Sequence, residues 1–248
     1  MMERPLTSES IGPVLVADES RPFLEHLEEL RRRLLRCFLW VGIGTAVGWK
    51  SAPIILAELI RPIGQVVYLS PVEPFMVYLK TAFLAGFILG FPLLAWEVWG
   101  FLKPALRRTQ RASLVLLIAV STFLFLVGAW FGWSELLPTA LAFLRSFGGG
   151  SMTPMITVGH YISFAVWIIL GCGLIFQLPL GVLAATRAGW VGPVTLLRQW
   201  RLAVVAILIT AAALTPTPDI ATQLLMAAPL VLLYTISIAL SFLVHRWA

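Results

Sequence analysis

Residues Phe75–Val98 read FMVYLKTAFLAGFILGFPLLAWEV, with Lys80 near one end and Glu97 at the other as the only charges. A helix rises about 1.5 Å per residue, so this run crosses a hydrocarbon layer about 30 Å thick. Comparable runs lie on either side: Leu34–Trp49, Ala112–Trp133, His160–Ala185, Trp200–Leu214 and Thr222–Val244. Hydrophobic residues make up 59% of the 248 positions and charged residues 12%. A soluble domain carries about 25% charged residues, and a disordered chain more, so both classes are excluded.

The reading is an all-α membrane protein with six transmembrane helices. Residues 1–21 form a polar tail, and residues 22–248 form one six-span domain. The fifth and sixth spans are expected to be short. The fifth has only about 22 Å of helix, and the sixth holds Pro229, which is tolerated where neighbouring groups take up the freed carbonyl. Two Thr-Pro steps, Thr215-Pro216 and Thr217-Pro218, are expected to join them as a tight hairpin. The segments 50–74 and 134–159 contain Pro and Gly but also many apolar residues, and they are expected to fold back on the bundle as short helices.

An even number of spans places both termini on one side. Of the 18 Lys and Arg, all but Lys50, Arg61, Lys80 and Arg145 fall on that side. Basic loops stay cytoplasmic, so both termini are assigned to the cytoplasm. The net charge of +6 is therefore topological information and does not point to nucleic acid. Cys37 and Cys172 lie in apolar runs without a CxxC spacing and read as packing residues. The first 22 residues lack the pattern of a secretory signal peptide.

Before the first span, Phe23, Leu27, Leu30 and Leu34 recur on one helical face, with Glu25, Glu28, Glu29, Arg31 and Arg32 around them. This predicts an amphipathic helix lying at the cytoplasmic surface. His26 reads as a polar-face residue. Between spans two and three runs WEVWGFLKPALRRTQR, residues 96–111. Glu97 stands there at the membrane boundary, where a carboxylate must be wet or paired. Lys103, Arg107 and Arg108 are its expected partners. On the outer side, SPVEPFMVYLK (70–80) is expected to cap the second span, with Glu73 paired to Lys80. Gln177 needs a hydrogen-bond partner, most simply on a neighbouring helix, and Asp219 reads as the N-cap of the last helix, near Gln223.

No Walker A, HExxH or G-x-S-x-G motif occurs, and no Asp-rich metal motif. No catalytic residue, metal or cofactor is expected. Intramembrane charge is sparse, which weakens the alternative of a small-solute secondary transporter.

Five segments resemble the TatC family, the multispanning core of the twin-arginine protein translocase. They are EHLEELRRR at Glu25, SPVEPFMVYLK at Ser70, VWGFLKPAL at Val98, FQLP at Phe176 and LTPTPD at Leu214, in the family's order and spacing. The resemblance spans residues 22–244. It implies a bacterial inner-membrane protein that binds twin-arginine signal peptides of folded cargo at the cytoplasmic face. Export then proceeds with single-span TatA/TatB-type partners under the proton-motive force, within a lipid-embedded, self-associating complex. By resemblance, Glu29, Arg31, Phe101, Pro104, Leu106 and Gln110 form the recognition surface. Pro71, Glu73, Gln177, Asp219 and Gln223 serve partner docking or transport. Where this chain has Gln110 the family typically has Glu. The expectation is that Glu97 takes over part of that role, helped by Glu28 or Glu29.

Overall fold

The computed structural model describes residues 20–102, 111–146, 155–214 and 220–246. Helix α1 is Ser20–Gly48, α2 is Ala52–Ile60 and α3 is Glu73–Leu102. Helix α4, Arg111–Phe131, continues through a π-helical turn, Gly132–Leu136, into α5, Leu137–Ser146. Then follow α6, Val158–Ile175; α7, Leu178–Arg187; α8, Pro193–Arg198; α9, Trp200–Leu214; and α10, Ile220–Arg246.

Among the described residues, Glu73–Leu102, Leu114–Ser146, Val158–Arg187 and Thr222–Ala239 are long and apolar enough to cross a membrane. Helices α1 and α2 make a further candidate as a pair bent by 79°. Helix α9 is the short one, at 15 residues.

Three boundaries differ from expectation for identifiable reasons. The amphipathic segment and the first apolar run are one continuous helix, α1, with no turn between surface and span. Phe23–Trp49 contains no proline, and of its three glycines Gly44 and Gly48 lie where close packing uses them. The fourth run is split after Ile175. Pro179 has no N–H to give the carbonyl four residues back, so α6 stops there and α7 restarts with Gln177 at its N-cap. The sixth run is not short: α10 is 27 residues and absorbs Pro229 without ending. The Thr215–Pro218 hairpin lies outside the described residues.

Helices α1 and α3 pack antiparallel through small residues. A Cβ at Gly44 would lie 2.5 Å from the Gly86 carbonyl oxygen, and one at Gly48 would lie 2.5 Å from that of Ala82. Without side chains between them the backbones touch, as in the small-xxx-small interfaces of membrane helices. Helices α4 and α6 meet the same way, with Gly128 and Gly132 against Cys172 and Gly173 against Phe125. Phe125 then stacks on Phe91 of α3, centroids 3.7 Å apart, tying the two helix pairs together.

The described parts of segments 50–74 and 134–159 do fold back as short helices. Helix α2 buries Ala52 and Leu59, and the Tyr161 hydroxyl donates to the Leu59 carbonyl at 2.6 Å. Gly64, at φ +84°, turns the chain after α2. Val67 forms a parallel bridge with Thr157: its N–H donates to Ile156 O at 3.1 Å, and its carbonyl accepts from Val158 N–H at 2.9 Å.

Candidate functional site

Two sites lie along the α1–α3 pair. At the end formed by the start of α1 and the finish of α3, Arg33 is the hub. Its Nε and Nη2 donate to Glu29 Oε1 at 2.9 and 2.7 Å. Its Nη1 donates to the Glu97 carbonyl at 3.1 Å and to Glu97 Oε2 at 3.4 Å. Arg36 approaches the same Oε2 at 3.7 Å. The Glu97 side chain is 9% exposed, Arg33 22% and Glu29 38%. Glu97 is thus paired, as a boundary carboxylate must be, but by arginines of α1. Its expected partners Lys103, Arg107 and Arg108 lie outside the described residues.

The register of α1 on α3 explains the pairing. Arg33 lies eleven residues before Gly44, and Glu97 eleven after Gly86. Eleven residues are about three helical turns, so each returns to the face that carries its glycine. The Gly44–Gly86 contact therefore sets Arg33 opposite Glu97. Gly100 leaves room for the guanidinium, since a Cβ there would collide with Arg33 Nη1.

Glu28 is exposed and bonded to Arg32 at 2.6 Å, and Arg31 is exposed. His26 of α1 stacks on Phe101 of α3 at 4.4 Å, a further contact between the same two helix ends. Glu25, Glu28, Glu29, Arg32, Arg33 and Arg36 line a depression of about 290 Å³. Pro104, Leu106 and Gln110 lie outside the described residues. Sequence reading missed Arg33, Arg36, His26 and Gly100. Only the Glu29–Arg33 pair carried a visible signal, the favourable i,i+4 order of acid before base.

The second site begins one turn farther along. An apolar groove of about 500 Å³ runs between α1, α3, α4 and the α6–α7 break, with Leu34, Cys37, Val98, Trp99 and Leu102 at its charged end. Its polar element is Gln177. Ser121 Oγ of α4 donates to Gln177 Oε1 at 2.6 Å, and Gln177 Nε2 donates to the Ser121 carbonyl at 3.1 Å. The partner is thus on a neighbouring helix. Ser121→Ala is expected to remove one of the two bonds and destabilise the protein by about 0.6 kcal/mol, at most about 1.7. The same change in a Gln177→Leu background is expected to have less effect, a coupling that thermal unfolding of the four proteins measures.

At the opposite end, Glu73 does not pair with Lys80. Its Oε2 accepts from Leu69 N–H at 2.8 Å and its Oε1 from Gly159 N–H at 2.7 Å. Gly159 is in the first turn of α6, where N–H groups lack helical partners and favour a negative charge. The α6 N-cap, Thr157, makes no such bond, since its hydroxyl meets His160. Glu73 caps α6 in its stead, and Lys80 donates to Ser163 Oγ at 2.6 Å. Pro71 is exposed beside it. Gln223 Nε2 of α10 donates to the Leu208 carbonyl of α9 at 3.1 Å, and Asp219 lies outside the described residues.

Residues 25–229 match the family model described as Sec-independent protein translocase protein (TatC). The Sec-independent protein translocase protein TatC of Koribacter versatilis (strain Ellin345) is 38% identical over 233 residues, covering 90% of this chain and 86% of that one. The protein of the same name from Carboxydothermus hydrogenoformans is 36% identical over 225 residues, covering 89% and 93%. The crystal structure of a twin-arginine translocase receptor, TatC, superimposes with a TM-score of 0.74 at 33% identity, over 88% of this chain and 98% of that one. With match, relatives and helix arrangement in agreement, this chain belongs to the TatC family of Sec-independent protein translocase proteins.

Proposed function

We propose that this chain, a core subunit of the twin-arginine translocase, is the receptor for the signal peptides of folded cargo. The observation that carries the reading is the end-to-end order of two surfaces on α1 and α3. Acids around Glu29 and Glu97 come first, and an apolar groove starting at Leu34, Cys37 and Val98 follows. A targeting peptide with a basic n-region ahead of an apolar stretch has the complementary order. The contact surface is Glu28, Glu29, Arg31 and Phe101, completed by Pro104, Leu106 and Gln110, with the Glu97 charge behind it.

The protein is a multi-pass membrane protein. Six crossings with α9 as the fifth rest on the apolar runs, the placement of both ends in the cytoplasm on the skew of Lys and Arg, and the bacterial inner membrane on the family resemblance. The Glu29–Glu97 cluster then faces the side on which cargo is made. As part of a translocase the chain works in a complex. We assign the docking of single-span TatA/TatB-type partners to the α9–α10 edge with Asp219 and Gln223, and the transport step to Gln177. Pro71 and Glu73 serve by holding the outer segments on α6. The work is non-enzymatic, driven by the proton-motive force. The relatives reported above carry the translocase name, which leaves the small-solute transporter reading without support.

The test is direct binding of a fluorescent twin-Arg signal peptide to the detergent-solubilised full chain. A twin-Lys control is expected to bind at least tenfold more weakly. A benzophenone in the apolar stretch of the peptide is expected to cross-link to the groove around Leu34 and Leu102. Equal retention of both peptides, or cross-links away from the groove, overturns the reading.

A further inference from the structure

We infer that Arg33 is a positioning residue for guanidinium recognition: it fixes one oxygen of Glu29 against α3 and leaves the other for an incoming arginine. The inference rests on the receptor reading above and goes beyond it by naming what selects arginine over lysine.

Charge alone does not select. The depression is lined by Glu25, Glu28 and Glu29 and by Arg32, Arg33 and Arg36, so its acids and bases are equal in number. A basic peptide therefore gains little from the net field there, and the arrangement of the acids has to decide. Both bonds from Arg33 to Glu29 end on Oε1, and among the described residues Oε2 receives none. The Glu29 side chain is partly open to the depression, so Oε2 is the oxygen within a ligand's reach.

The clamp needs a planar fork. One guanidinium spends Nε and Nη2 on Glu29 of α1 and Nη1 on the side chain and backbone of Glu97 on α3. A lysine ammonium has no rigid geometry to span both. Glu97, buried and held by Arg33 and Arg36, acts through this clamp and not by touching the peptide. A carboxylate fixed beforehand accepts a guanidinium without a further loss of rotamer freedom. It also favours the directed N–H groups of arginine over the point charge of lysine. A carboxylate free to turn takes either cation.

The experiment measures the affinity of the full-length protein for twin-Arg and twin-Lys peptides in wild type, Arg33→Gln, Arg33→Lys and Gly100→Ala. Arg33→Gln removes a positive charge, so electrostatics alone would tighten both peptides together. Positioning instead weakens the twin-Arg peptide by about tenfold and leaves the twin-Lys peptide unchanged or tighter, so the ratio collapses. Arg33→Lys keeps the charge and loses the fork, and is expected to lose the ratio as well. Gly100→Ala keeps Arg33 but places a Cβ on its Nη1 site, with better helix propensity, so a fallen ratio there is not a folding defect. If wild type discriminates and all three variants keep its ratio, the inference fails while the receptor reading stands. If both peptides bind more tightly in Arg33→Gln with the ratio intact, Arg33 is merely a competing cation and the inference is overturned. If wild type itself does not discriminate, the receptor reading fails first.

Discussion

Alanine at Gly86 is expected to separate α1 from α3 and abolish the folded receptor. A Cβ at Gly86 would fall on the backbone carbon of Gly44 and the backbone nitrogen of Thr45. Both are main-chain atoms, so no rotamer change relieves the contact. Overpacking that flexible side chains can absorb costs about 1–3 kcal/mol, and a backbone collision stands at or above the top of that range. Helix α1 has α3 as its principal neighbour, so moving off Gly86 leaves it with little else to pack against. In a Cys37→Ser background, a thiol-reactive dye that reports exposure of Cys172, fully buried in the core, is expected to show unfolding at markedly lower temperature. Gly42→Ala is the control: the same helix gains the same methyl, but no atom lies within 4 Å of it. It is expected to be neutral or stabilising by up to about 1 kcal/mol, the helix-propensity difference. Equal melting of Gly86→Ala and wild type would remove the register argument on which the acid cluster depends.

That dependence explains which features could be read from the sequence. Hydropathy is a sum over about 20 neighbours, so the apolar runs and helical class were visible without any tertiary knowledge. The need of Glu97 and Gln177 for partners was visible too, because a polar group near lipid is costly when alone. The identity of the Glu97 partners was not. Arg33 is 64 residues away, and the pair follows only once Gly44 is known to sit on Gly86. Glu73 shows the same limit. Its proximity to Lys80 suggested a local ion pair, but a first-turn N–H of α6 donates to its carboxylate instead, and the Val67–Thr157 bridge brings the two segments together. The continuity of α1 was hidden because one helix changes from amphipathic to lipid-facing without any local break. Pro179 shows a signal that hydropathy overrode: the apolar run His160–Ala185 continues through it, so the helix end that its missing N–H imposes did not show in the span.

The second large effect is expected at Glu97. Glu97→Ala removes the only carboxylate of the α3 end that the structure describes and leaves two guanidinium groups facing the space. Losing one member of a fully buried pair costs about 3–5 kcal/mol. Arg36 is largely exposed and can return to water, and Arg33 keeps its bonds to Glu29 and to the Glu97 carbonyl. The expected destabilisation is therefore smaller, about 2 kcal/mol. Glu97→Gln separates charge from volume. It preserves the shape and one acceptor oxygen, but a neutral acceptor makes a bond roughly half as strong as a charged one. If charge holds the ends of α1 and α3 together, the Gln variant falls between wild type and Ala in thermal stability, and both lose preference for the twin-Arg peptide. If packing alone holds them, Gln matches wild type in both measurements. A Glu97→Ala protein as stable and as selective as wild type would mean that Arg33 needs no carboxylate on α3, and that its bond to the main-chain carbonyl of residue 97 is enough to hold the clamp that orders Glu29.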